Sequence, residues 1–117
     1  MGVENLDVWK RSCRLSCEVY KSMADCRDYG FKDQITRSSL SIPSNIAEGF
    51  ERGSIKDKRK FYLYARGSAG ELKTQVYIGQ RIGYVSSEAG NHWCDELVDI
   101  QKMLTGLIKS QDSKLEC

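Results

Sequence analysis

Apolar residues recur at steps of three and four along four stretches of the chain, and no stretch alternates in the manner of a strand. The first stretch carries Leu6, Trp9, Cys13, Ser16 or Cys17, Tyr20 and Met23 on one helical face. It should end near Cys26, ahead of a connection closed by Gly30. A second helix begins near Phe31, with Ile35, Ser39, Ile42 and Ile46 on one face and Gly49 placed to cap its end. Ser54, followed three residues later by Asp57, opens a third as a capping-box variant; its stripe is Phe61, Ala65, Ser68, Leu72, Val76 and Gly79. Ser86 or Ser87 can cap a fourth, in which Trp93, Leu97, Ile100, Leu104 and Leu107 step four-three-four-three. The helices expected therefore span about 5–26, 31–49, 54–82 and 87–110, followed by a polar tail expected to fray. Each stripe can be hidden only against the others. The expectation is all-α: a single-domain, antiparallel up-down four-helix bundle over residues 1–117.

The second helix contains an apparent flaw. Pro43, the only proline of the chain, has no N–H, and its ring opposes the carbonyl of Ser39, so a kink is expected there. Beside the apolar face of this helix runs a polar stripe of Gln34, Arg37, Ser41, Asn45 and Glu48. On the third helix Glu71 falls on a flank with Tyr64, Gln75, Ile78 and Ile82, with Ser68 nearby. A buried carboxylate needs a partner, and the planar fork of Arg37 suits it. The two glycines of Gly67-Ser68-Ala69-Gly70 cost about 1 kcal/mol each inside a helix relative to alanine, which fits a close helix–helix approach. A structural polar network of Arg37, Ser41, Asn45, Glu48, Ser68 and Glu71 is the expectation. A ligand site or small enzyme using the Arg37/Glu48/Glu71 region is the alternative, although no histidine, nucleophile elbow or phosphate loop accompanies these residues.

Composition adds bounds. A chain of 117 residues supports one core, and 29% charged residues with 40% apolar ones is ordinary for a globular protein. No apolar run approaches the roughly 18–20 residues needed to cross a bilayer, so no membrane partner is expected. The opening Met1-Gly2-Val3-Glu4-Asn5-Leu6 lacks the features of a signal peptide. Five cysteines, an odd number without a regular framework, read as reduced thiols in a cytoplasmic protein. Cys13 and Cys17, one turn apart, and Cys94 beside His92 do not match a zinc spacing; no metal or cofactor is expected. Cys13 and Cys17 read as small core-facing residues, and Cys117 as a tail thiol open to oxidation.

Two features could carry partners. Lys56, Lys58, Arg59 and Lys60 form the densest basic cluster, ahead of Phe61, Tyr62 and Tyr64. This pattern admits phosphate contacts with RNA or DNA as well as a plain solvated helix end; the net charge of +2 does not decide between them. Leu63 and Tyr77, with Gly70 between them at heptad spacing, form a candidate oligomer seam opposite the core stripe.

The run Gln34-Ile35-x-Arg37-x-Ser39-x-Ser41-Ile42-Pro43-Ser44-Asn45-Ile46-Ala47-Glu48-Gly49 carries a resemblance, continued by Arg52-Gly53-Ser54, Ala65-Arg66-Gly67-Ser68-x-x-Glu71-Leu72 and Gly83-Tyr84. Together with the opening Leu6-x-Val8-Trp9 and the closing Met103-Leu104-x-Gly106-Leu107-Ile108, it resembles the 23S rRNA intervening sequence proteins over nearly the whole chain. The resemblance implies a short left-handed bundle that assembles as a ring-like homopentamer. Some relatives are encoded within insertions in bacterial ribosomal RNA genes. A similar protein accompanies the reverse transcriptase of diversity-generating retroelements and binds that enzyme and nucleic acid through a basic surface. The expectation is a non-enzymatic oligomeric scaffold or adaptor, with itself, RNA or DNA, or a reverse-transcriptase-like protein as partners. A purely structural accessory protein is the further alternative.

Overall fold

The computed structural model describes residues 2–116. After a 3-10 turn at Val3–Asn5 come four helices: α1 (Asp7–Ser22), α2 (Tyr29–Glu51), α3 (Ile55–Arg81) and α4 (Ser87–Glu116). Helices adjacent in sequence are adjacent in space, and α1 closes the circuit against α4. The α2/α3 and α3/α4 seams are the most extensive, and α1/α4 is the thinnest helix–helix seam. The result is the expected all-α four-helix bundle, an elongated body of 49 × 22 × 19 Å.

Each start has a local cause. Asp28 caps α2 by accepting from Phe31 N, and Ser54 caps α3 by accepting from Asp57 N. Ser86 Oγ accepts from Ala89 N just ahead of α4. Gly30 is thus a first-turn helical residue rather than a turn closer. α3 ends in a Schellman motif: Gly83 at φ +83°, Gly83 N donating to Gln80 O and Tyr84 N to Gly79 O. Gly49 does not cap α2, which continues to Glu51. It is buried inside the helix, where a Cβ would lie 2.9 Å from Tyr62 Cε1. α2 also continues through the buried Pro43.

The core is built from Val8, Leu15, Val19 and Met23 of α1 and the connection after it, Ile35, Ile42 and Ile46 of α2, Ala65, Ala69, Leu72 and Val76 of α3, and Trp93, Leu97, Ile100 and Leu104 of α4. The expected faces of α2 and α4 hold, with Ile108 taking the deep position expected of Leu107. That of α1 holds only at Ser16 and Met23. Its inner face is Val8, Ser12, Leu15, Ser16 and Val19, whereas Tyr20 and Cys17 are exposed and Trp9 and Cys13 half-buried. Small hydroxyl residues let α1 sit close to α2. Ser39 Oγ gives its single hydrogen to Thr36 O at 2.8 Å, so the 3.0 Å contact with Ser16 Oγ has Ser16 donating. The tail does not fray: α4 is helical to Glu116, with Gln111 buried and Asp112 paired to Arg59. Cys117 lies outside the described residues.

Candidate functional site

The polar stripe of α2 and the mixed flank of α3 lie side by side. On α2 the line runs Gln34, Ser38, Ser41, Asn45, Glu48, Arg52, and on α3 it runs Tyr64, Ser68, Glu71, Gln75, Ile78, Ile82. Both step four-three-four-three-four, the spacing of helices that accept a further helix between them. Ser38 Oγ donates to Glu71 Oε1 at 2.7 Å and fixes the register across the groove.

The expected buried network is not assembled. Arg37 pairs with Asp33 at 2.9 Å, both exposed, and does not reach Glu71. Glu48 pairs with Arg52 at 3.2 Å. Asn45 Nδ2 donates to Ser41 O at 2.8 Å, and Ser41 Oγ donates to Ser38 O at 2.9 Å. Ser68 is half-buried and Glu71 exposed. The cause is local competition: a helix offers serine and asparagine the carbonyls one turn back, and arginine a carboxylate at i−4, before any partner on another helix. Glu71, still wet, needs no cation. Gln75 Oε1 on the same ridge is buried without a hydrogen-bond partner.

The apolar members of the α3 ridge remain uncovered: Tyr64 is 52% exposed, Ile78 45% and Ile82 52%, with Tyr77, on another side of the same helix, at 58%. Leu63 is half-buried. Gly70 faces α4, since a Cβ there would lie 3.6 Å from Gln101 Nε2. The seven-residue step moves the three only about 40° around the helix, so they share a side, on which Tyr77 is exposed, Leu63 is half-buried and Gly70 lies against α4. Gly67 opens onto free space and is not the point of close approach; Gly49 and Gly79 are, with Gly79 lying against Phe31 and Val85.

The basic cluster divides. Lys58 Nζ donates to Phe50 O at 2.7 Å and Gly49 O at 3.4 Å, serving the last carbonyls of α2. Arg59 is held by Asp112. Lys60 and Arg52 lie over the Phe61 ring at 5.3 and 4.7 Å from its centre, and Phe61 meets Tyr64 edge-on. Lys56 is exposed. Two of the four expected phosphate contacts are thus committed to holding the bundle end together, while Arg52, paired with Glu48, and Lys60, 4.0 Å from Asp57, stay partly exposed over the ring.

The α1/α4 seam is polar at its rim. Arg11 bridges Glu96 and Asp99, which holds the Glu96 carboxyl below the usual carboxylate range. Trp93 Nε1 donates to Glu18 at 3.2 Å, with His92 Nε2 3.4 Å from the same oxygen. Burial pushes the Cys13 and Cys94 thiols up, away from the reactive thiolate. Among the described residues, no cluster of three or more His, Cys, Asp or Glu could hold a metal ion. Three open clefts lie beside Tyr29 and Asp33, between Leu6 and Leu107, and under Tyr84 and Asp25, and none is lined by Arg37, Glu48 or Glu71. No helix of the described residues is long and apolar enough to cross a membrane.

The bundle is similar to a crystal structure from Bacteroides thetaiotaomicron VPI-5482, a protein of unknown function from the S23 ribosomal protein family. The TM-score is 0.81 at 24% identity, covering 87% of this chain and 98% of that one, which shows a shared fold. Among curated proteins, none matches the sequence. The model of the 23S rRNA-intervening sequence protein family matches residues 4–106, the stretch that contains the groove, its two ridges and the core of all four helices, and this chain belongs to that family.

Proposed function

We propose that this chain is a non-enzymatic helical scaffold that works by self-assembly through its outer helix faces. One observation carries the reading: a folded bundle leaves Tyr64, Ile78 and Ile82 exposed along one ridge of α3 beside a heptad-spaced groove, with Tyr77 exposed on another side of the same helix. Exposed apolar residues scattered singly are ordinary, but a line of them on one helix marks an interaction surface. The Arg37, Glu48 and Glu71 side chains serve this surface as solvated rim groups and not as acid, base or nucleophile. Sedimentation velocity across micromolar concentrations should show a discrete oligomer. A monomer throughout that range defeats the proposal.

A second role is favoured by the stacked end of the bundle. Arg52 and Lys60 on the Phe61 ring, with Tyr64 and Lys56 adjacent, combine cations and aromatic faces in the way single-stranded RNA or DNA is held without base readout. Neutralising Lys56, Lys60 and Arg52 together should lower affinity for a single-stranded oligonucleotide about equally across sequences and flatten its salt dependence by about two units of log–log slope. An unchanged slope removes this role and leaves the scaffold reading intact.

A further inference from the structure

α1 is short and α4 is long, and the difference leaves a gap at one end of their seam. Arg11 sets the register by bridging to Glu96 and Asp99, so the start of α1 comes level with Met103 and Leu107, while α4 runs on to Glu116. The 3-10 turn ahead of α1 packs against α2 and not against α4. What remains is an open cleft of about 360 Å³ lined by Leu6, Asp7, Val8, Met103, Gly106 and Leu107. We propose that this cleft binds a small aliphatic amine, with its hydrocarbon tail along Leu6, Val8, Met103 and Leu107 and its ammonium group at the Asp7 carboxylate.

Size, lining and charge point to that class of ligand. Ligand pockets run from about 300 to 1,000 Å³, so a cleft at the low end of that range takes a small guest. Apart from Asp7 the lining has no charged or hydrogen-bonding side chain. Gly106 adds depth, since nothing lies within 4 Å of where its Cβ would be. The single charge in the lining is negative: Asp7 is exposed and enters no ion pair among the described residues. Arg11, which donates to Met103 Sδ at 3.7 Å, is already matched by two carboxylates. Lys10 and Lys102 are exposed on neighbouring turns, and neither pairs with Asp7 or lines the cleft.

Tail and head contribute differently. Each methylene that leaves water tightens binding by up to about fourfold, so affinity comes from the tail. An exposed ammonium–carboxylate pair adds only about two- to fivefold, so Asp7 chooses the sign of the head group rather than setting the strength. A ligand with the same tail and a carboxylate head meets Asp7 as a like charge and is disfavoured. The inference uses neither the α2/α3 groove nor the Phe61 stack, and it does not depend on the self-assembly reading.

Titration with hexylamine, hexanol and hexanoate at neutral pH and low salt tests the site, read from the NMR signals of isotope-labelled methionine methyl groups. The Met103 signal should shift with hexylamine, while Met23, buried where α1 ends, should not move. Hexylamine should bind about threefold more tightly than hexanol, and hexanoate most weakly of the three. Asp7→Asn should erase the difference between amine and alcohol. Gly106→Leu, which fills the cleft, should abolish the Met103 response to both. Each variant alters an exposed residue, so both should keep the helical circular-dichroism spectrum. A Met103 signal that ignores hexylamine at millimolar concentration, or responds equally to all three ligands, overturns the proposal. So does a preference for the ammonium that survives Asp7→Asn, or a response that survives Gly106→Leu.

Discussion

Adding one methyl group to Gly79 tests the packing where α3 ends. In a helix interior, Gly→Ala ordinarily gains about 0.8–1.0 kcal/mol. At Gly79 the new Cβ would lie 2.7 Å from Val85 Cγ2 and 3.0 Å from Phe31 Cζ, well inside normal contact. Val85 cannot retreat freely, because its N–H is bonded at 3.1 Å to the carbonyl of Gly79 itself, and the Schellman turn through Gly83 fixes the approach. Overpacking of this kind costs about 1–3 kcal/mol, which turns the gain into a net loss of up to about 2 kcal/mol. Gly106 supplies the control: it sits in α4 with nothing within 4 Å of a Cβ, so Gly106→Ala should keep the full gain. The two variants should therefore differ by about 1–3 kcal/mol. Urea unfolding at one fixed protein concentration measures this directly, since stability of an assembling chain depends on concentration. In thermal melts the same gap corresponds to several degrees, at about 3–6 °C per kcal/mol for a domain of this size. If Gly79→Ala proves as stable as Gly106→Ala, the close contact does not exist.

Three further outcomes follow from other contacts. Ser39→Ala should destabilise by about 1–2 kcal/mol because it strands the buried Ser16 hydroxyl, while Ser16→Ala should cost less because Ser39 keeps Thr36 O; equal losses in chemical unfolding would reverse the donor assignment. Lys58→Met should cost about 1 kcal/mol by releasing the last carbonyls of α2, against less than about 0.5 kcal/mol for the exposed Lys56→Met; indistinguishable melts would refute the cap. Because Arg11 holds the folded Glu96 carboxyl below its unfolded value, that stabilisation is fully present above the ordinary carboxylate range and is lost as pH falls through the lower, folded value. The stability gap between the natural chain and Glu96→Gln should thus shrink as pH falls below the ordinary carboxylate range, and a constant gap would contradict the pairing.

The faces of α2 and α4 were legible because each has one apolar stripe and little else to bury. α1 misleads for the opposite reason. Its outer line contains the larger residues, Trp9 and Tyr20, and periodicity alone weights these above an inner line that includes Ser12 and Ser16. The glycines mislead similarly: Gly67 and Gly70 look like a packing device because they are close in sequence, whereas Gly49 and Gly79 meet side chains that only the tertiary fold brings near. Arg37 and Glu71 share complementary charge, but Asp33 is one turn away from Arg37 and wins by proximity. The groove itself was visible as two flanks of unusual composition. Its apolar ends were not expected to be exposed, since exposure depends on which side of α3 the neighbouring helices leave bare.

The chain has two tryptophans, and they occupy opposite environments. Trp93 is 2% exposed and its indole N–H is held by Glu18 across the α1/α4 seam; Trp9 lies half-buried on the outer stripe of α1. The molecule therefore contains two built-in optical reporters that answer different questions. With Trp9→Phe, emission follows only the docking of α1 within one bundle. With Trp93→Phe, it follows the surroundings of Trp9, one side of which packs against the core and the other faces outward, so in the folded chain a blue shift that grows with concentration reports contact between copies without any added label.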